Sequence, residues 1–227
     1  MDEPDWFRDE LATDVPDEER ARLRLADHRE ALRGLGHYPE HPSQLDTVGH
    51  RRGFASLADG QADLSVVQRI LLDCDGTVTH ILEALAQEPM VVVKLAHATV
   101  ELATAMPELD LVTPAQVVTR TVLLSGAASG RVLLHAHTTI AFTNLSDAGI
   151  ERDLRLTRDP IGTVLTRHRT ELFREHRQAW TERSPLLAEV FGASSDATIL
   201  GRTYCMFAAS KPIILITERF SPNLAHL

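Results

Sequence analysis

The sequence predicts an α+β domain, a mostly antiparallel sheet with helices to one side. Three observations carry this. Val- and Ile-rich runs outnumber convincing helical patterns, they come in adjacent pairs, and turn residues such as the glycines of GAASG separate the members of a pair. Antiparallel neighbours need only a short turn between them, whereas parallel ones need a long crossover.

Taken in order, residues 1–60 stand apart. Asp2, Glu3, Asp5, Asp9, Glu10, Asp14, Asp17, Glu18 and Glu19 crowd the start. EERARLRLADHREALRGLG reads as one helix with a partial apolar stripe of Leu23, Leu25 and Leu32, and the stretch after Gly36 reads as loop. The expectation is an acidic, partly helical N-terminal arm over 1–60 and one domain over 61–227. DLSVVQRILLDCDGTVTHILEALAQEP holds two short helical patterns around a break at Asp75-Gly76, with Thr77 or Thr79 as the cap of the second. PMVVVKLAHATVEL, AQVVTRTVLLSG and GRVLLHAHTTIAF read as strands, the last two joined at GAASG. NLSDAGIERDLRL and DPIGTVLTRH read as short helices, with Pro160 at a helix start where its missing N–H costs nothing. TELFREHRQAW fits strand and helix equally. ATILGRTYCMFAAS and KPIILITERF read as a second hairpin, turning at Ser-Lys-Pro.

Composition narrows the function. The chain has 227 residues, 44% apolar, which suffices for one substantial core. A formal charge of −9 argues against a nucleic-acid partner. No apolar run is long enough to span a bilayer, and the acidic start lacks a signal-peptide core. Two cysteines, Cys74 and Cys205, without metal-type spacing suggest a reduced, cytoplasmic protein; a monomer or homodimer is expected. Eleven histidines invite a metal, yet there is no HExxH, and the HxH of His135 and His137 lacks acidic partners at zinc-site spacing, so no metal is expected. GxGxxG, P-loop and GxSxG motifs are absent.

Three polar features fall where apolar ones are expected. Glu218 shares a strand face with Ile214 and Ile216. It is either a strand end rising into water or a carboxylate aimed into a pocket. Arg120 shares a face with Val118, Val122 and Leu124, and either snorkels out or points inward. The Gly76-Thr77-Val78-Thr79 turn is an ordinary cap or, with its free backbone N–H groups, an anion site. An inward Arg and an inward Glu on one sheet would cost several kcal/mol unless matched by each other or by a ligand. A small anionic ligand meets that requirement, with the guanidinium gripping a carboxylate in two-pronged fashion.

The collinear stretches LLDCDGTVTHILEALAQEPMVVV, VVTRTVLLSG, VLLHAHTTIAF, DPIGTVL, TELFRE and GRTYCMFAASKPIILITERF resemble the chorismate lyase (chorismate pyruvate-lyase) family over about residues 66–221. The likeness is strongest to the branch of single-function 4-hydroxybenzoate synthases. It implies an antiparallel sheet of about six strands, helices around an enclosed pocket, and release of pyruvate from chorismate to leave 4-hydroxybenzoate, without metal or organic cofactor. It further implies that Arg120 binds the ring carboxylate, that the Val78 backbone N–H shares it, flanked by Thr77 and Thr79, and that Glu218 meets the ring hydroxyl. His137 stands where the family carries arginine or glutamate. With His135 beside it, His137 is the candidate to contact the enolpyruvyl carboxylate or to donate a proton. Two other readings use the same pocket. One is a natural-product tailoring enzyme, a cyclase or pericyclase acting on another acidic molecule, for which His137 and the arm are the support. The other is a non-catalytic small-acid-binding domain, since the same fold serves as the effector-binding domain of GntR-type regulators. Residues 1–60 are too acidic and too poor in helix for a DNA reader ahead of it.

Overall fold

The computed structural model describes Glu19, Leu25, Ala55–Ser56 and residues 64–74, 77–145, 147–156 and 161–226. The helix expected around Leu23 to Leu32, the break at Asp75-Gly76 and the helix-start role of Pro160 lie outside those residues, Leu25 excepted. Among the described residues, seven strands form one sheet in the order β1-β5-β6-β7-β4-β3-β2, and each of their pairings is antiparallel. The strands are β1 (Ala55–Ser56), β2 (Met90–Glu101), β3 (Gln116–Gly126), β4 (Val132–Ile140), β5 (Phe173–Glu182), β6 (Ile199–Ala208) and β7 (Lys211–Phe220). Six of them are long; β1 is a two-residue edge that pairs with Thr181 and Trp180 of β5.

The α+β class read from the sequence is thus the observed one. TELFREHRQAW, ambiguous by periodicity, is strand because β6 offers it a full ladder from Phe173 to Glu182. The second hairpin turns at Ala209-Ser210 rather than at Ser-Lys-Pro. Both turn residues have positive φ (47° and 64°), the pattern of a tight hairpin turn whose twist matches its strands. Lys211 and Pro212 belong to β7, where proline at the strand start disturbs little of the ladder.

Among the described residues, four helices cover one face, here called the front. Helix α1 (Val66–Asp73) opens on a capping box: the Ser65 hydroxyl accepts from the Gln68 N–H and the Gln68 side chain accepts from the Ser65 N–H. Helix α2 (Val78–Ala86) follows. Leu71, Val78 and Leu82 of this pair pack on Val92, Leu124, Leu134 and Phe220. Helices α3 (Ala148–Leu156) and α4 (Ile161–Arg167) cover the other half, with Ile150, Leu154, Val164 and Leu165 against Val118, Ile140, Ile214 and Ile216. Two apolar clusters therefore share one sheet face, and the seam between them is where a cavity can open.

The back face is covered by α5 (Pro185–Val190), capped by Ser184, through Leu187 and Val190 on Val93, Leu123, Val132 and Ile199. Leu25, from the segment before residue 61, is buried in the same cluster. Because both faces are covered, β4 is buried at all nine residues, His135, His137, Thr138 and Thr139 included.

Two close approaches stand out in the sheet. The indole of Trp180 lies against Gly201, where an added Cβ would sit 2.5 Å from the ring. Trp180 is fully buried, so the ring has no room to retreat. Gly201→Ala is expected to destabilise the fold by about 1–3 kcal/mol, seen as a lowered Tm. An unchanged Tm would mean that the contact is not tight. At the other hairpin, Glu88 accepts the N–H groups of Ala128 and Ser129 (2.7 and 2.9 Å) and the Ser129 hydroxyl (2.5 Å). Burial alone would raise its pKa, but these bonds and the nearby Arg131 hold it below the ordinary carboxylate value. The stabilisation is therefore complete above the unfolded-state pKa and is lost as pH falls through the lower folded value. Chemical denaturation at pH 6 and pH 3 should show wild type losing more stability on acidification than Glu88→Gln; equal losses would refute the role of the charge.

Candidate active site

The cavity opens on the front face in the seam between the two helix pairs. It has a volume of about 600 Å³ including its mouth. Its floor is the sheet: Val92 of β2, Arg120, Val122 and Leu124 of β3, Leu134, Ala136 and Thr138 of β4, Ile216 and Glu218 of β7, and Tyr204 and Met206 of β6. Its walls are the first residues of α2 (Thr77, Val78, Thr79) and of α4 (Ile161, Gly162), with Arg174 of β5 completing the ring. The two helix starts abut, since a Cβ on Gly162 would lie 3.2 Å from the Thr77 methyl. First-turn N–H groups have no intrahelical acceptor, so both helices present donors here.

Register places the charged groups. Arg120 is paired directly with Thr138 on one side and His97 on the other. It is 2% exposed at the centre of β3. Glu218 is paired with Ala136 and Arg202. Arg120 and Glu218 thus lie on one face, two strands and two residues apart, which is roughly 12 Å between Cα atoms by standard sheet spacing. Both side chains border the cavity from opposite sides. His97, beside Arg120, has its pKa lowered first by burial and then by the charges of Lys94, Arg120 and Arg155. It is therefore neutral near pH 7.

Glu218 is not the direct ion-pair partner of Arg120. Its Oε2 accepts from Arg202 Nε at 2.7 Å and its Oε1 accepts from the Tyr204 hydroxyl at 3.1 Å. Arg202 and Glu218 are 1% and 3% exposed in their side chains. The guanidinium is tied down further by Nη1 bonds to the Leu72 and Cys74 carbonyls, 3.2 and 3.3 Å, at the end of α1. Burial opposes its charge, yet the Glu218 carboxylate outweighs burial and holds the Arg202 pKa above its ordinary value. Burial, with the Glu218 charge added, raises the Tyr204 pKa, so the phenol keeps its proton. The result is a carboxylate anchored from behind by a cation and a phenol.

The sequence-derived candidates divide. Arg120, Glu218, Val78, Thr77 and Thr79 all line the cavity. Thr77 is the N-cap of α2, as one of the two expected candidates, though it makes no side-chain cap bond, and Thr79 is inside the helix. His137 and His135 do not reach the cavity. Their neighbours Leu134, Ala136 and Thr138 face it, and strand alternation turns both histidines to the back. There the Thr121 hydroxyl and His137 Nδ1 lie 3.0 Å apart, and His135 pairs across the strand with Arg219. The expectation that His137 acts on substrate is thereby corrected. Sequence reasoning missed Arg202, Tyr204 and Arg174. The available signal was Arg202 and Tyr204 at alternate positions on the strand hairpinned to Glu218. Among the described residues, no three His, Cys, Asp or Glu side chains gather as metal ligands, and no helix is long and apolar enough to cross a membrane.

Against known proteins, a family model described as chorismate pyruvate-lyase, Rv2949c-like, matches residues 72–227. A chorismate pyruvate-lyase of Mycobacterium leprae (strain TN) is 31% identical over 153 residues, covering 67% of this chain and 72% of that protein. A chorismate pyruvate-lyase of Mycobacterium tuberculosis (strain H37Rv) is 28% identical over 156 residues, covering 67% and 78%. Among solved structures, PhnF from Mycobacterium smegmatis aligns with a TM-score of 0.51 at 13% identity, covering 66% of this chain and 65% of that one. That last likeness concerns the fold.

The Arg202–Glu218 contact can be tested without any ligand. Removing one partner of a buried pair leaves the other charge uncompensated, which typically costs about 3–5 kcal/mol. Arg202→Met should therefore unfold at much lower denaturant, and Arg202→Met/Glu218→Leu should recover part of the loss. A single variant as stable as wild type would dismiss the pair as a structural element.

Proposed function

The chain belongs to the Rv2949c-like chorismate pyruvate-lyase family, and we propose that it eliminates pyruvate from chorismate to leave 4-hydroxybenzoate. The observation that carries this reading is the cavity bordered on one side by Arg120 and on the other by Glu218. A small acid with a carboxylate at one end and a hydroxyl at the other fits between a guanidinium and a carboxylate.

In the proposed arrangement, Arg120 grips the ring carboxylate with two N–H groups. The Val78 N–H at the start of α2 adds a third donor, aided by the positive end of the helix. Thr77 and Thr79 shape that end of the cavity. Glu218 accepts a hydrogen bond from the C4 hydroxyl, and its orientation is set by Arg202 and Tyr204. The bond that breaks joins ring carbon C3 to the ether oxygen. The ring loses the hydrogen on C4 and becomes aromatic, while the enolpyruvyl methylene gains one hydrogen and becomes the methyl of pyruvate. The hydrogen lost and the hydrogen gained balance within the substrate. The work left to the protein is positioning and stabilising the charge that develops on the departing oxygen. His137 takes no part, because it faces away from the cavity. With it goes the main support for a tailoring enzyme of different chemistry.

Purified protein incubated with chorismate should release pyruvate and 4-hydroxybenzoate in equal amounts, measured by chromatography. Arg120→Ala should weaken chorismate by about 2–5 kcal/mol, roughly 30-fold or more. Glu218→Gln should lower kcat by about 10²-fold. Tight 4-hydroxybenzoate binding with no pyruvate formed would favour a binding domain instead, and full activity in both variants would remove Arg120 and Glu218 from the assignment.

A further inference from the structure

Chorismate carries two carboxylates, one on the ring and one on the enolpyruvyl group. The reading above supplies a cation for the first alone. Among the described residues, the charged groups bordering the cavity are Arg120, Arg174 and Glu218. The charge of Glu218 is matched by Arg202 at 2.7 Å.

Arg174 is well placed for the second carboxylate. It sits on β5, opposite Met206 of β6, which also lines the cavity. Its guanidinium lies 5.4 Å from the centre of the Tyr204 ring, and Tyr204 in turn donates to Glu218. The ring therefore separates Arg174 from the carboxylate while keeping both at one end of the cavity. Arg120 enters from β3, three strands beyond β6 in sheet order. β4 offers no charge toward the cavity, only Leu134, Ala136 and Thr138. Arg174 is partly exposed, whereas Arg120 and Arg202 are buried. A partly exposed arginine suits the part of the substrate that must leave as pyruvate.

We propose that Arg174 is the receptor for the enolpyruvyl carboxylate and sets the preference of this cavity for a dicarboxylate over a monocarboxylate. This rests on the lyase reading but can be tested apart from it. The probes are chorismate for kinetics, and two unreactive acids for calorimetric binding: 3-[(1-carboxyvinyl)oxy]benzoate, which carries both carboxylates, and 4-hydroxybenzoate, which carries one. Arg174→Gln should raise the chorismate KM and the Kd of the dicarboxylate tenfold or more while leaving the Kd of 4-hydroxybenzoate within twofold. Arg174→Lys should restore most of the dicarboxylate affinity, and a Tm within a few degrees of wild type in either variant keeps the comparison valid. Equal weakening of both acids, or no change in either, would overturn the assignment. If wild type forms no pyruvate yet prefers the dicarboxylate, and the preference disappears in Arg174→Gln, the lyase reading falls and the Arg174 assignment stands.

Discussion

The organisation of this molecule depends on one buried ion pair, Arg202 Nε to Glu218 Oε2 at 2.7 Å. A carboxylate in the middle of an apolar sheet face is costly, and it persists only where a cation and further hydrogen bonds meet it. Arg202 supplies the cation, Tyr204 supplies the hydrogen bond, and the carbonyls of Leu72 and Cys74 accept from the Arg202 Nη1. Those carbonyls close α1, just before α2 begins, so the pair also ties the helix wall to the sheet floor. The charge needed at the cavity surface is thus held by the same contacts that fix the cavity's shape.

The two faces of the sheet solve the problem of burying polar groups differently. On the front, polar side chains border open volume, where a ligand can meet them. On the back they meet each other: Arg219 donates to Glu182 at 2.6 Å, Trp180 donates to the same oxygen at 3.3 Å, and Thr203 and Thr217 lie 3.1 Å apart. A hydrogen-bonded row of this kind in a dry interior specifies register, because a one-residue slip would strand every member. It also accounts for His137. His137 is part of this row through Thr121, a structural role that residue type alone does not reveal.

How much of this was legible in the sequence depends on which contacts decide it. The long strands were, because runs such as VVTRTVLL and KPIILITERF combine β-branched residues with short flanking turns. So was the inward aim of Arg120 and Glu218, since each shares a parity with apolar neighbours. Which partner Glu218 would take was not legible. Arg120 and a ligand were the expected alternatives, and Arg202, reached only through the β6–β7 pairing, is the actual partner. Helix α5 went unread because SPLLAEV is too short to show a helical period. TELFREHRQAW could not be decided locally, as its state is set by the ladder to β6.

The backward aim of His137 follows from a β-bulge. At the turn between β3 and β4, Ser125 faces Val132, while Leu124 faces Leu134, so Leu133 is one residue too many on β4. Continued without that bulge, the register at the turn would set His137 opposite Arg120 and on the cavity face. With it, Thr138 takes that place and His137 turns to the back. The β6–β7 hairpin repeats the device. Phe207 faces Pro212 and Met206 faces Ile214, which leaves Ile213 as the extra residue and brings Arg202, rather than its neighbours, opposite Glu218. Similar shifts occur between Lys94 and Ala96 on β2 and between His176 and Gln178 on β5. A bulge reverses the side-chain parity of everything beyond it, so four single-residue insertions decide which polar groups of this sheet reach the cavity. No alternation pattern within one strand carries that information, because a bulge is a property of two strands measured against each other.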